Sequence, residues 1–368
     1  MKVSHIAAVG ALAAVALYST TVISASVADN VSTDHHDAVS IDQPLRDLAK
    51  HSDLRIGTAV DFDAFNNDRV YHDRIGTEFS SITAENVMKW QLVEPTRGQL
   101  DFTAADQLVA AAQRNHQGVR GHTLLWHNQL PTWLTDGVAS GAIGTDELRA
   151  ILRRHIIDEV THFKGKLYQW DVVNEVIDDN ANPRDTIWLQ KLGPGYIADA
   201  FRWAHQADPH VKLFLNDYNV EASNAKSDAY FALVKDLLKQ HVPVDGFGAQ
   251  GHLGVQFGFN TAAQVAANLK RFEDLGLETS LTEVDVRMVL PADNPKSQAQ
   301  AQGYSVLMQG CLLSRRCTSF TVWGFSDKYS WVPGFFDGQG AACLLDENFA
   351  AKPGYEELRA ILALAARK

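Results

Sequence analysis

The chain has 368 residues, of which 46% are hydrophobic and 21% are charged, a composition typical of a folded globular protein and not of a disordered or fibrous one. Its formal net charge is −11 at pH 7, and the sequence contains no basic stripe that could follow a phosphate backbone. A nucleic-acid partner is therefore not expected.

The first 28 residues have the pattern of a secretory signal peptide. A short cationic start is followed by an apolar stretch of about a dozen residues and then by small residues that suit a signal peptidase after either Ser24 or Ala28. Since a spanning helix needs about 20 apolar residues, a membrane anchor fits this segment less well. We expect a secreted, extracellular protein that does not bind a membrane.

Residues 29–44 are polar and lack periodicity, which predicts a flexible tail before the folded domain. This tail carries a formal N-glycosylation acceptor at Asn30. We expect residues 45–368 to form one domain, because no Pro-, Ser- or Gly-rich linker divides them.

The rest of the chain alternates short apolar, β-rich runs with longer amphipathic segments, several of which begin with a residue that can cap a helix. The candidate strands are 55–60, 79–85, 119–126, 167–175, 212–218, 245–252, 278–286 and 319–325. Eight strands, each followed by a helix, predict an α/β fold, the (β/α)8 TIM barrel. An open doubly wound sheet is the alternative, but no Gly-rich phosphate turn follows the first strand.

Polar and aromatic residues stand at the ends of the second to the eighth candidate strands, where a TIM barrel has its active site. They are Glu85, Asn86, Lys89, His122, Trp126, Asn174, Glu175, Asn216, Asp217, Tyr218, Gln250, His252, Glu283, Asp285 and Trp323. Residues two or four apart on a strand face the same way. His122 and Trp126, Gln250 and His252, and Glu283 and Asp285 are such pairs, and each pair can point into one cleft.

Glu175 and Glu283 end the fourth and seventh candidate strands, on roughly opposite sides of an eight-stranded ring. Glycoside hydrolysis needs such a pair, one carboxyl protonated to donate to the leaving oxygen and one ionised to act at the anomeric carbon. His252, oriented by Asp285, could hold Glu283 ionised, and Asn174 could bond a sugar hydroxyl. A lone glutamate at a strand end is usually only solvated, but here two occur together.

Other site types fit less well. A metal site built from His122, His127 and His252 would need two histidines that are five residues apart on a strand and so face opposite ways. We expect no metal and no cofactor.

Flat faces for sugar rings are available on Trp126, Trp323 and Trp331, whereas Trp170, Trp188 and Trp203 are expected to be structural.

Three cysteines remain, and an exported protein meets an oxidising compartment. Cys311 and Cys317 are close enough in sequence for a local disulfide, with Cys343 left over. Two buried reduced thiols are the alternative.

The same residues carry a family resemblance. From about Leu45 to the C-terminus the chain resembles glycoside hydrolase family 10, the endo-β-1,4-xylanases, through the strings "GTAV", "ITAENVMKW", "GHTLLWHNQLPTW", "WDVVNE", "LFLNDYN", "GFGAQGHL", "LTEVDV", "TVWGFSDKYSW" and "LLDENFAAKPGY", which appear in family order. The resemblance implies that Glu175 is the acid/base and Glu283 the nucleophile of a retaining double displacement through a covalent glycosyl-enzyme intermediate. No catalytic position departs from the pattern.

Further roles follow from the resemblance alone. It implies sugar contacts on the glycone side from Glu85, Asn86, Lys89, His122, Trp126 and Gln129. It places Asn174, Gln250, His252, Trp323 and Trp331 around the central subsite, and Tyr218 is our candidate on the leaving-group side. The family also has a disulfide that matches Cys311 and Cys317.

We therefore expect a secreted, monomeric endo-1,4-β-xylanase that hydrolyses internal bonds of xylan. A glucan-cleaving barrel is one alternative, although Trp323 and Trp331 would crowd the hydroxymethyl group of a hexose. A non-catalytic sugar-binding protein is the other, although both carboxylates are present.

Overall fold

The computed structural model describes residues 41–366. The predicted signal peptide, the acceptor Asn30 and all but the last four residues of the predicted tail lie outside this range. Within it, the helices are too short or too polar to cross a lipid bilayer.

Eight parallel strands of the described chain close into a barrel, which confirms the predicted fold. They are β1 Arg55–Val60, β2 Ser81–Ala84, β3 Gly118–Leu125, β4 Gln169–Asn174, β5 Lys212–Asp217, β6 Gly246–Ala249, β7 Glu278–Val289 and β8 Cys317–Val322. Each strand pairs with the next along the chain, and β8 closes the ring by pairing with β1, with Thr321 opposite Gly57. The short strands His252–Gly254 and Gln339–Gly340 flank the far end of β7.

One long helix follows each strand. These helices are α1 Arg69–Glu78, α2 Thr103–Arg114, α3 Thr145–His162, α4 Tyr196–Ala207, α5 Ala225–Lys239, α6 Ala262–Glu273, α7 Asn294–Leu313 and α8 Pro353–Ala365. Shorter helices occupy Leu45–Ala49, Phe62–Asn67, Trp90–Val93, Thr132–Ala139, Ile187–Leu192 and Val332–Phe335. Thr261 and Gln264 form a capping box at α6, whereas Asn224 caps α5 through the N–H of Ser227.

The main core lies between the strands and the surrounding helices. Trp170 on β4 is 1% exposed and packs across Gly121 of β3, where a Cβ atom would lie 2.2 Å from the indole ring. Burial of a large apolar side chain of this kind stabilises the fold by about 2 kcal/mol or more. Trp188 is also buried and Trp203 is partly so, so the structural roles expected for these three tryptophans agree with their packing.

A disulfide joins Cys311 near the end of α7 to Cys317 at the start of β8, as the sequence predicted. Cys343 is a free and buried thiol. The bridge closes the turn that leads into the last barrel strand.

Candidate active site

The carboxyl ends of the strands bring both predicted glutamates to one cleft. Glu175 directly follows β4, and its N–H still donates to the carbonyl of Asn216 on β5 at 2.9 Å. Its φ is +57°, in the left-handed region that side chains other than glycine seldom adopt. Glu283 lies inside β7 and is 4% exposed.

Glu283 is surrounded by donors from other strands. Its Oε1 accepts from Nδ2 of Asn216 at 2.6 Å, and Nε2 of His252 lies 3.3 Å from its Oε2. Nδ1 of His122 lies 3.9 Å from Oε1. Burial alone would raise the pKa of Glu283, but the electrostatic attraction of His122 and the hydrogen bond from His252 outweigh it and lower the pKa to about 2. This carboxyl is therefore ionised at neutral pH.

His252 is held between two carboxylates. Its Nδ1 lies 2.9 Å from Oδ2 of Asp285, an oxygen that also accepts from Nε1 of Trp331 at 2.8 Å. Burial would lower the pKa of His252, but Asp285 and Glu283 together raise it to about 10. The ring is thus an imidazolium that donates to both neighbours.

Glu175 has a different set of neighbours. Nε1 of Trp126 donates to its Oε2 at 2.9 Å, and the amides of Gln250 and Asn174 donate to its Oε1 at 3.2 and 3.3 Å. Nε2 of His127 lies 4.0 Å from Oε2. Among residues 41–366, the three hydrogen-bond donors to this carboxyl are uncharged, in contrast to the imidazolium that donates to Glu283.

A chain of amides connects the two carboxyls. Asn216 donates to Oδ1 of Asn174 at 2.9 Å as well as to Glu283, and Gln250 donates to the same Asn174 oxygen at 3.2 Å. Thr282 fixes the other end of the Asn216 amide by donating to its Oδ1 at 2.6 Å. The two glutamates therefore belong to one connected site.

The predicted glycone-side residues form a second cluster beside this pair. Nζ of Lys89 donates to Asn86 at 3.1 Å and to Gln129 at 2.7 Å, and it lies 5.0 Å from the ring centre of Trp126. Burial lowers the pKa of Lys89. Burial and the charge of Asp61 raise the pKa of Glu85, next to Asn86, to about 7. Near neutral pH, such a carboxyl is able to donate a hydrogen bond to a sugar hydroxyl or to accept one from it.

Aromatic rings line the same end of the barrel. Trp323 lies edge-on to His122 at 5.1 Å between ring centres, and Trp331 lies 5.1 Å from His252. Tyr218 lies beyond β5, where its hydroxyl accepts from Arg184 at 3.0 Å and its ring lies under Nζ of Lys226 at 3.4 Å. Trp323 and Trp331 thus lie beside the two histidines near Glu283, and Tyr218 lies beside Arg184.

Sequence reasoning missed several members of the site. Asn216 was noted only as a strand end, although it contacts Glu283 directly. Asp171, buried inside β4, bonds Nδ1 of His122 at 2.8 Å and forms an ion pair with Arg120. A charged residue in the middle of the buried run "WDVV" was the available signal. His127 was assigned to the far face of a strand, but β3 ends at Leu125 and the alternation does not reach it.

His122, His127 and His252, the three histidines weighed as metal ligands, are not the residues whose ligand atoms lie close together. Among the described residues, the atoms that could meet one ion belong to His122, Asp171 and Glu283, and they lie within 4.8 Å of one another. Arg120 and His122 already bond Oδ2 of Asp171, and the imidazolium of His252 balances the negative charge of Glu283. These carboxylates are neutralised by protein cations, so the donor set is poorly suited to a metal ion.

A family model described as "Glycosyl hydrolase family 10" matches residues 44–361. The chain belongs to this family. The glycoside hydrolase resemblance drawn from its motifs is therefore confirmed.

Several known proteins are similar to this chain along most of its length. "Endo-1,4-beta-xylanase" of Agaricus bisporus is 42% identical over 302 residues, which cover 82% of this chain and 88% of that protein. "Endo-1,4-beta-xylanase B" of Thermotoga neapolitana is 40% identical and covers 88% and 92% of the two chains. Xylanase 10B from Thermotoga petrophila, solved in complex with xylobiose, has a TM-score of 0.84 at 40% identity, with 88% of this chain and 98% of that chain covered.

Proposed function

We propose that this family 10 enzyme is an endo-1,4-β-xylanase that hydrolyses internal bonds of xylan with retention of anomeric configuration. The observation that carries the proposal is the contrast between two glutamates in one cleft. Glu283 is held ionised by His252, while the side chains that the structure describes around the Glu175 carboxyl are uncharged hydrogen-bond donors. The names of the similar proteins support xylan as the substrate.

In the first step, the carboxylate of Glu283 attacks the anomeric carbon. The bond from that carbon to the glycosidic oxygen breaks, and the proton of Glu175 goes to the leaving oxygen. The product of this step is a glycosyl ester on Glu283.

In the second step, the Glu175 carboxylate takes a proton from water. The water oxygen attacks the anomeric carbon and releases Glu283, so that two inversions give net retention. His252 and Asp285 keep Glu283 charged between turnovers, and Asn174 is suited to bond the hydroxyl next to the reacting carbon.

The remaining site residues are proposed to hold the sugar rings. Hydroxyl groups on the glycone side would bond Glu85, Asn86, Lys89, Gln129 and His122, while Trp126, Trp323 and Trp331 offer flat faces for stacking. Gln250 supports the central ring, and Tyr218 contacts the leaving group.

Comparison of two polysaccharides tests the substrate. Turnover on xylan should exceed turnover on a soluble cellulose derivative, because the indoles of Trp323 and Trp331 leave little room for a hexose hydroxymethyl group. A preference for the glucan would overturn the proposal. Failure of the pure protein to release reducing sugar from either polymer would favour a binding protein instead.

Two variants test the roles of the glutamates. Glu283→Ala should abolish hydrolysis of all substrates, whereas Glu175→Ala should still cleave aryl glycosides whose leaving group needs no proton. Equal loss on activated and unactivated substrates in Glu175→Ala would contradict its role as acid. NMR of the first product should show the β anomer, and initial formation of the α anomer would exclude a nucleophilic Glu283.

Export is the remaining part of the proposal. The composition of residues 1–28 supports a signal peptide, and the disulfide Cys311–Cys317 is compatible with an oxidising compartment. Cleavage of this segment would leave the tail attached to the catalytic domain, which we propose acts as a monomer. The intact mass of the secreted protein tests cleavage of the signal peptide, and light scattering tests the monomeric state.

A further inference from the structure

The backbone that follows Glu175 needs an external support. Glu175 has a φ of +57°, and a residue with a Cβ atom is disfavoured in this left-handed region. Such a conformation persists only where the surrounding structure holds it. The direction of the Glu175 side chain depends on this backbone, because φ sets where the Cα–Cβ bond points.

Arg184 contacts this segment through three N–H groups. Its Nε donates to the carbonyl oxygen of Glu175 at 2.6 Å, and its Nη2 donates to the carbonyl oxygen of Ile177 at 3.0 Å. Its own backbone N–H donates to the carbonyl of Val176 at 2.8 Å. One half-buried arginine therefore holds three consecutive carbonyls, beginning with that of Glu175.

The same guanidinium reaches the leaving-group side of the cleft. Nη2 of Arg184 also donates to the hydroxyl of Tyr218 at 3.0 Å. From the opposite direction, the hydroxyl of Tyr230 accepts from the N–H of Val176 at 3.0 Å and donates to Asp217. Arg184 thus connects the backbone of Glu175 with Tyr218, while Tyr230 supports the next residue from the barrel side.

Only a planar guanidinium suits this set of acceptors. Its donors lie in one rigid fork, whereas a lysine ammonium is a single point on a flexible stem and cannot bond both carbonyls with the same geometry. Arg184→Lys keeps the positive charge, so it would preserve a purely electrostatic role. It loses the fork of donors, so it would not preserve a positioning role. This difference gives the inference a sharp test.

We propose that Arg184 is a positioning residue for the acid/base: it holds the left-handed backbone of Glu175 so that the carboxyl faces the leaving oxygen, and it aligns Tyr218 beside the departing sugar. This inference rests on the proposed role of Glu175. Arg184 does not contact the reacting atoms in this arrangement and acts through Glu175.

The test compares two aryl xylobiosides that differ only in the need for a proton. On the phenyl glycoside, whose leaving group needs protonation, kcat/KM of Arg184→Lys and Arg184→Ala should fall by about 10- to 100-fold, the loss expected when a catalytic group is misplaced by about 1 Å. On the 2,4-dinitrophenyl glycoside the fall should be less than about threefold, because protonation contributes little there. The ratio kcat/KM reports the glycosylation step in both cases.

Arg149→Ala is the matched control. Arg149 lies on α3, is partly exposed like Arg184, and donates to a carbonyl, that of Leu192 at 3.3 Å. It also forms an ion pair with Asp199 on α4, so these contacts do not involve the segment after Glu175. We expect it to leave both kcat/KM values unchanged. Thermal unfolding of all variants shows whether they are folded at the assay temperature, and Arg184→Lys provides the test if Arg184→Ala does not fold.

The Glu175→Ala variant, measured beside these, separates two kinds of failure. Suppose that Glu175→Ala loses more kcat/KM on the phenyl than on the 2,4-dinitrophenyl glycoside. If kcat/KM of the Arg184 variants then falls equally on both glycosides, or on neither, the positioning role of Arg184 is wrong and the proposed function stands. If Glu175→Ala itself does not discriminate, the role of Glu175 is wrong and the inference about Arg184 fails with it.

Discussion

Glu283 is a buried carboxylate whose charge is stabilised by side chains from three other parts of the barrel. Asn216 comes from β5, His252 follows β6, and His122 comes from β3. A hydrogen bond to a charged group contributes about 1.5–3 kcal/mol when the partner is removed. Asn216 is notable because it is uncharged and yet makes the shortest of these contacts, at 2.6 Å.

Replacement of Asn216 should weaken catalysis without abolishing it. In Asn216→Ala, Oε1 of Glu283 loses its amide donor, and we expect kcat/KM on xylan to fall by about 10- to 100-fold, equivalent to the loss of one such bond. Steady-state kinetics on a soluble xylan measures this.

Asn224→Ala is the control for this substitution. Asn224 caps α5 through the N–H of Ser227 and donates to the carbonyl of Asn219, so its side chain bonds backbone groups and not the two carboxyls. The Asn224→Ala variant should lose about 1 kcal/mol of unfolding free energy, while its kcat/KM stays unchanged. An Asn216→Ala enzyme with unaltered kcat/KM would show that this amide is not needed at Glu283.

Several strands contribute to the site through the place where they end. β3 stops at Leu125 after an irregular register with β4, so that Trp126 and His127 both lie beside Glu175 although they are adjacent in sequence. β6 is only four residues long and contains Gly248, where a Cβ atom would lie 2.6 Å from Oδ1 of Asn216. The absence of a side chain there gives the Asn216 amide the space that it occupies.

The turn between α7 and β8 depends on its disulfide. Removal of the bridge in Cys311→Ala/Cys317→Ala should lower the unfolding free energy by about 2 kcal/mol, the value for a loop closed by a separation of six residues. Urea denaturation with and without a reductant measures this.

Reductant should destabilise the wild-type protein and leave the double variant unaffected. Cys343→Ala, which removes the free thiol, should keep the sensitivity to reductant. If wild-type stability did not respond to reductant under conditions that break the bridge, the disulfide would be irrelevant to the stability of this turn.

At the scale of the whole molecule, the active site couples stability to pH. The pKa of His252 is raised from about 6.5 to about 10 in the folded protein. A raised histidine pKa contributes stability that is fully present below the unfolded value and is lost as pH rises through the folded value. The lowered pKa of Glu283 acts in a different window, because its contribution is lost only as pH falls from about 4.5 towards 2.

The unfolding free energy of wild type relative to His252→Asn should therefore decrease between about pH 7 and pH 10. Chemical denaturation of the two proteins at several pH values in this range measures the difference. Other groups that titrate there, such as lysines and tyrosines, are common to both proteins and cancel in the comparison. A difference that stays constant with pH would mean that the pKa of His252 is not raised in the folded protein.

Local patterns predicted a large part of this molecule. The first strand was predicted with its observed bounds, and the others were within a few residues, because period-two apolar runs are local and the barrel strands are short. The bridge between Cys311 and Cys317 could be anticipated because six residues can only span a short distance. The motifs around Glu175 and Glu283 are sufficient to indicate the family.

The sequence by itself therefore determined the order of strands, the residues at their ends, the disulfide and the family. The tertiary structure alone decided which strand ends touch: that Asn216 reaches Glu283, that Asp171 holds His122, and that Arg184 bonds the carbonyl of Glu175. These contacts depend on the relative register of strands when the ring closes and on where each strand stops. Distances of a few ångströms between such ends are set by the closed barrel and are not encoded in any one segment of the chain.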